Sequence, residues 1–158
     1  MLWLLECNAW ARTNLHRKAT VRGVDPRRLV FAPRLPIDQH LARQVLADLF
    51  LDTLPYNAHT TTSDALWVGL PVVTCAGETF ASRVAGSLLR AAGAPELVTG
   101  SLPEYEALAL HLASNPEALR GIREKLMRTR DSMPLFDTKR FARNLELAYR
   151  GMWQRWIA

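Results

Sequence analysis

The sequence predicts an α/β fold in which a parallel sheet is packed by helices and followed by a helical tail. Short apolar runs recur through the first hundred or so residues, separated by helix-length stretches. Each run is apolar throughout instead of alternating, as strands of a parallel sheet covered on both faces should be. Beyond residue 100 the strand-like runs stop and only helix signals remain.

Taken in order, Leu2–Leu5 is the first strand. The run stops at Glu6, lacks a basic leader, and is too short for a signal segment or a membrane span. It reads as a buried strand beginning at residue 1, which suggests that the chain is a piece of something longer. A helix over Trp10–Val21 follows, with Gly23 as its C-terminal stop. Leu29–Ala32 is the second strand, Asp38–Ala47 the second helix and Leu49–Leu51 the third strand. Thr62–Val68 is helical and is ended by Gly69 and Pro71. Val72–Cys75 is the fourth strand, Ala81–Ala92 the next helix, stopped by Gly93, and Glu96–Val98 the last strand. In the tail, Leu102–Ala113 has Pro103 in its first turn. Asn115-Pro116-Glu117 opens a helix running to Arg130, which Ser132-Met133-Pro134 breaks. Asp137-Thr138 caps a final helix from Lys139 to Trp156. The chain is read as one domain over residues 1–158, with an α/β core over 1–100 and a helical tail over 101–158.

Composition narrows the function classes. Hydrophobic residues make up 49% and charged residues 22%, a globular balance and not a disordered one. Lys plus Arg is 20 against 15 Asp plus Glu, a net charge of +5 carried mostly by arginine. That suits anionic ligands, because a guanidinium forks onto phosphate, but it does not by itself indicate nucleic acid. Cys7 and Cys75 have neither metal spacing nor a disulfide framework, so a reducing cytoplasm is the simplest compartment, with Cys75 a buried thiol. There is no G-x-G-x-x-G fingerprint and no phosphate-loop motif, which argues against dinucleotide oxidoreductases and P-loop NTPases.

The most informative segment is Asn57-Ala58-His59-Thr60-Thr61-Thr62-Ser63-Asp64. It follows a strand and opens a helix, where unpartnered backbone amides attract anions. The threonines add hydroxyl donors, His59 a nitrogen donor, and Asp64 is placed to accept from a sugar hydroxyl. An ordinary N-cap cluster uses the same residue types, so spacing alone leaves both readings open. Ligands of open parallel sheets bind beyond the carboxyl ends of the strands, and three polar turns fall there: 33–40, 56–64 and 76–79. His59 could act as a general base, although a donor or positioning role is preferred. His16 and His111 are expected on helix surfaces. The run Arg120, Arg123, Lys125, Arg128, Arg130 is interrupted by Glu117, Glu124 and Asp131, which favours a solvated helix face over a nucleic-acid stripe. Leu145, Tyr149, Met152, Trp153 and Trp156 form an apolar stripe, either packed on this domain or left without a partner.

Several runs together resemble a known family. They are Leu51-Asp52-Thr53, Asn57-Ala58-His59-Thr60-Thr61, Asp64 through Thr74, and Gly77-Glu78-Thr79-Phe80-Ala81-Ser82-Arg83-Val84-Ala85. The pattern continues at Tyr105-Glu106, Pro134-Leu135-Phe136-Asp137-Thr138, Tyr149 and Met152-Trp153. This ordered set, over nearly the whole chain, is similar to the protein O-linked N-acetylglucosamine transferases, including the bacterial SPINDLY-like proteins. The resemblance implies a GT-B fold, two Rossmann-like lobes preceded by TPR repeats. The chain would be most of the C-terminal, UDP-sugar-binding lobe, without the N-terminal lobe and the repeats.

The resemblance also implies the site. His59, Thr60 and Thr61 match the segment that holds the diphosphate, and Asp64 the acid that accepts from ribose hydroxyls. Leu35 through its backbone, His40 against the base and Arg43 from the following helix match the surroundings of uracil. Ile37 departs from the family, some members of which have lysine there. Gly77-Glu78-Thr79 lies on the same rim. The main catalytic residues are expected outside this chain, so no transfer is expected from it alone. The implied partners are UDP-N-acetylglucosamine as donor and protein Ser or Thr hydroxyls as acceptors, with no metal, no other cofactor, no membrane and no nucleic acid. The alternative is a non-catalytic module, derived from such a lobe, that binds a nucleotide or a protein.

Overall fold

The computed structural model describes residues 1–157. Its chain divides into two compact units, Met1–His40 and the residues from Leu41 onward. Every strand pairing is parallel, and the ladders form a two-stranded and a three-stranded sheet.

The first unit is a β-α-β element. Strand β1 (Leu2–Leu5) pairs with β2 (Leu29–Ala32), in register from Leu2 opposite Leu29 to Leu5 opposite Ala32. Helix α1 (Ala9–Val21) joins them. The Asn8 side chain caps it by accepting from the Ala11 amide at 2.8 Å. Arg12 pairs with Glu6 at 2.9 Å and lies over the Phe31 ring, whose edge also meets His16. The expectation of a buried first strand is not met: Leu2 and Leu5 are 42% and 53% exposed, and α1 has no buried residue. The physical reason is coverage. A strand with one neighbour and one flanking helix cannot bury both faces, however apolar its sequence.

Helix α2 (Ile37–Gln44) contains the boundary between the units. The second unit places β4 (Val72–Cys75) between β3 (Phe50–Leu51) and β5 (Val98–Thr99). All four residues of β4 are buried, because a central parallel strand meets helices on both faces. Helices α3 (Thr60–Trp67), α4 (Val84–Ala91) and α5 (Leu102–Ala113) pack on it and bury Leu66, Leu89 and Leu112. Burying each such leucine stabilises the fold by about 2 kcal/mol.

Helix α6 (Pro116–Thr129) adds Leu126 to this core. Three of its four cations are engaged within the unit. Arg123 donates to the carbonyls of Ala47 (2.6 Å) and Val45 (3.3 Å), Lys125 pairs with Glu96, and Arg120 with Glu117. Arg130, just beyond α6, lies over Trp67, whose ring also meets the Phe136 ring edge-on. Helix α7 (Thr138–Ile157) has no buried residue, and its stripe stays open, with Trp153 and Trp156 63% and 82% exposed.

Several boundaries differ from the sequence reading: α2 ends at Gln44 and not at Ala47, and α3 begins at Thr60, two residues before the expected Thr62. Pro95–Leu97 form a 3-10 turn, so β5 begins at Val98 and not at Glu96. Phe80–Ser82 form another, and α4 begins at Val84. Proline in the first position of the one and a reciprocal Thr79–Ser82 capping box in the other explain these tight turns.

Gly69 and Gly93 both end helices with positive φ, +74° and +75°. A Cβ at Gly93 meets nothing, whereas one at Gly69 falls 2.6 Å from Met127 Cγ and Sδ. Gly93→Ala should therefore cost about 1 kcal/mol, from backbone strain alone. Gly69→Ala should cost about 1–3 kcal/mol more, from overpacking. Urea midpoints at unchanged slope measure both.

Candidate functional site

The site is built where β3 gives way to α3. Asp52 follows the last residue of β3, and its amide donates to the Val73 carbonyl at 3.0 Å, so the ladder continues one residue past the strand. The side chain is buried, yet each carboxylate oxygen is engaged. Oδ1 accepts from the amides of Thr53 (2.8 Å) and Ala58 (2.7 Å), and Oδ2 accepts from the Thr74 hydroxyl (2.6 Å). Burying a carboxylate is tolerable only with such a set of donors. On the Asp52 carbonyl, the Tyr105 hydroxyl closes from α5 at 2.9 Å. Burial, then the charge of Asp52 and then Cys75, push the Tyr105 phenol up to about 12.

The loop between Asp52 and α3 is braced internally. The Thr53 hydroxyl donates to the Tyr56 carbonyl, the Asn57 side-chain amide to the Thr53 carbonyl, and the Asn57 backbone amide to the Ala81 carbonyl. Asn57 is fully buried, and its Oδ1 has no partner among the described residues. A buried carbonyl oxygen without a donor is uncommon and marks a place where a ligand or water donor would be accommodated.

His59 is the N-cap residue of α3 and makes no side-chain capping bond. Its carbonyl accepts from the amides of Thr62 and Ser63. The amides of Thr60 and Thr61, the first two of the helix, have no intrahelical acceptor and carry the positive end of its dipole. The three threonines diverge. Thr62 is buried and donates its hydroxyl to the Ala58 carbonyl at 3.0 Å, while Thr60 and Thr61 are exposed at the helix start. The His59 ring stacks on Tyr56 at 4.9 Å and meets the edge of Phe80. Its Nε2 is buried without a partner among the described residues. Asp64 is half-buried in the second turn of the same helix.

The turn after β4 lies on this side of the sheet. Thr79 and Ser82 cap one another, and Arg83 Nε donates to the Gly77 carbonyl at 2.9 Å. A Cβ on Gly77 would fall 2.5 Å from Ser82 Oγ, so only glycine fits here. The structure thus gathers His59, Thr60, Thr61 and Asp64 at one helix start. Leu35 precedes α2, and His40 and Arg43 are three residues apart on it, a spacing that shares a helix face. The sequence placed Asp52, Asn57, Thr74 and Tyr105 in the runs that carry the resemblance but assigned none of them an individual role. The signal for Asp52 was an acid directly after an apolar strand, six residues before Ala58. Among the described residues, no group of three or more His, Cys, Asp or Glu side chains could hold a metal ion.

Comparison with known proteins places this geometry in context. Residues 1–145 match the family model for glycosyl transferase family 41. A probable UDP-N-acetylglucosamine–peptide N-acetylglucosaminyltransferase, SEC, of Arabidopsis thaliana is 41% identical over 153 residues, 96% of this chain and 16% of that protein. The UDP-N-acetylglucosamine–peptide N-acetylglucosaminyltransferase of Caenorhabditis elegans is 39% identical over 156 residues, 99% of this chain and 14% of that protein. Among solved structures, an O-GlcNAc transferase of Thermobaculum terrenum, the K341M mutant, superposes with a TM-score of 0.91 at 39% identity. That match covers 98% of this chain and 30% of the other. The chain therefore spans only a small part of the length of the relatives it matches.

The Tyr105 phenol supplies a test of the polar cluster. Its folded value of about 12 lies above the ordinary 10.0, so the folded state holds the proton more tightly than the unfolded chain. The stability this gives is complete below pH 10 and is lost as pH rises towards 12. Denaturation across that window should show a steeper loss in the wild-type chain than in Tyr105→Phe, and absorbance titration should find one late-ionising tyrosine.

Proposed function

The chain belongs to glycosyl transferase family 41, and from that premise we propose that it is the UDP-sugar-binding portion of a protein O-N-acetylglucosaminyltransferase. The reaction is displacement at the anomeric carbon of N-acetylglucosamine by a Ser or Thr hydroxyl of a protein. The C1–O bond to the diphosphate breaks, UDP leaves, and the acceptor proton passes to a base. The observation that carries this reading is the start of α3, with two outward threonines, two free-ended amides and an N-cap histidine beyond the end of a parallel strand.

The leaving diphosphate gains charge as the bond breaks, and fixed donors aimed at it lower the barrier without reorganising. The amides of Thr60 and Thr61, their hydroxyls and the His59 ring supply those donors in this reading, with no metal ion needed. Asp64 accepts from the ribose hydroxyls. The Leu35 backbone, His40 and Arg43 receive the uracil. The base for the acceptor hydroxyl is assigned to parts of the protein beyond this chain, which by itself binds the donor and does not transfer it. No helix among the described residues is long and apolar enough to cross a membrane. With the thiols of Cys7 and Cys75 unpaired, we place the protein in the cytoplasm.

Calorimetry with UDP tests the binding half. The wild-type chain should bind, and His59→Ala and Asp64→Ala should each weaken binding about tenfold, the loss expected for one hydrogen bond to a charged or strongly polar group. A folded chain that gives no heat with UDP, or binding that both substitutions leave unchanged, would overturn the reading.

A further inference from the structure

We infer that Asp52 is a positioning residue for the anion site, holding the helix start through the loop it clamps. This inference rests on the donor-binding reading of α3. The clamp is visible in the two amides that share Oδ1. Thr53 is the first residue of the loop and Ala58 the last before His59, so one oxygen ties both ends together at 2.8 and 2.7 Å. The other oxygen is fixed to β4 by Thr74 at 2.6 Å, and the Asp52 backbone is fixed to β4 and to Tyr105. The carboxylate therefore refers the position of Ala58 to the most buried strand of the unit.

Ala58 matters because its carbonyl receives the Thr62 hydroxyl, and the next residue caps the helix. A shift at Ala58 moves His59 and the first two helix amides with it. His59 cannot hold itself, since its side chain makes no capping bond. Asp52 is itself buried, with both oxygens turned to the loop and Thr74. It acts through the loop and touches no substrate.

Three substitutions separate positioning from general stability. Asp52→Ala removes the clamp. Asp52→Asn keeps one carbonyl oxygen for the two amides and an NH2 that can donate to Thr74, without the charge that strengthens such bonds. Thr74→Val keeps both loop amides on Oδ1 and the backbone bond from Asp52 to Val73, and removes only the side-chain tie to β4, so it costs stability more than loop position. Affinities for UDP and for uridine are measured by calorimetry, and amide hydrogen exchange is followed along the chain.

Asp52→Ala should lower UDP affinity at least tenfold while changing uridine affinity less than threefold. Asp52→Asn should recover most of that loss, and Thr74→Val should stay within threefold of wild type for UDP despite a lower melting temperature. Exchange in Asp52→Asn should quicken at Thr53 and Ala58 with Leu66 and Val73 unchanged. The inference is overturned if UDP and uridine fall in parallel, or if Thr74→Val costs as much UDP affinity as Asp52→Ala. It is equally overturned if exchange is unchanged in the loop or faster throughout. Should Asp52→Ala not fold, Asp52→Asn and Thr74→Val carry the exchange test. Should wild type fail to bind UDP, the proposed function falls, and the exchange comparison still decides whether Asp52 clamps the loop.

Discussion

A single buried carboxylate links the sheet of the second unit to the start of α3. Asp52 leaves β3 still in ladder with Val73 and gives one oxygen to the two ends of the following loop and the other to Thr74. A charge in that position is tolerated because each of its oxygens is met by a donor. The same bonds transmit the rigidity of the core outward. Loops are ordinarily the mobile part of a fold, and precise sites are built on rigid elements. Here the loop borrows its order from β4.

The rest of the site follows from that order. Once Ala58 is fixed, Thr62 turns inward to its carbonyl and the helix starts at Thr60, leaving Thr60 and Thr61 at the solvent edge. The aromatic rings of Tyr56 and Phe80 hold the His59 ring from two directions. The glycine turn after β4 is kept tight by the Gly77 amide, which donates to the Ser82 carbonyl at 2.9 Å. What results is a helix dipole with its end exposed beside donors that differ in kind, which is the arrangement an anionic leaving group needs.

Much of this was legible in the sequence, for identifiable reasons. The strands Leu2–Leu5, Leu29–Ala32 and Val72–Cys75 stand where the apolar runs put them, because local composition decides where a strand can form. Local composition does not decide what covers a strand, so the exposure of β1 and of α7 was not readable. The helix start was visible as a cluster of capping residues but was placed at Thr62, two residues late, and the fate of each threonine depends on a bond to Ala58 that the sequence does not show. Asp52, Thr74 and Tyr105 escaped because they come from three segments as far as 53 residues apart that meet only when folded. Of the basic run, Arg123 and Lys125 are engaged with the unit's own carbonyls and carboxylate, partners on other segments that the run itself does not reveal.

The central claim is that the first amides of α3 receive the diphosphate of a uridine donor. Amide chemical shifts of Thr60 and Thr61, followed during titration with UDP and separately with uridine, test it most directly. The account predicts large, saturable shifts at both amides with UDP and little movement with uridine. Binding of UDP that leaves Thr60 and Thr61 unmoved, or that moves them no more than uridine does, would contradict it.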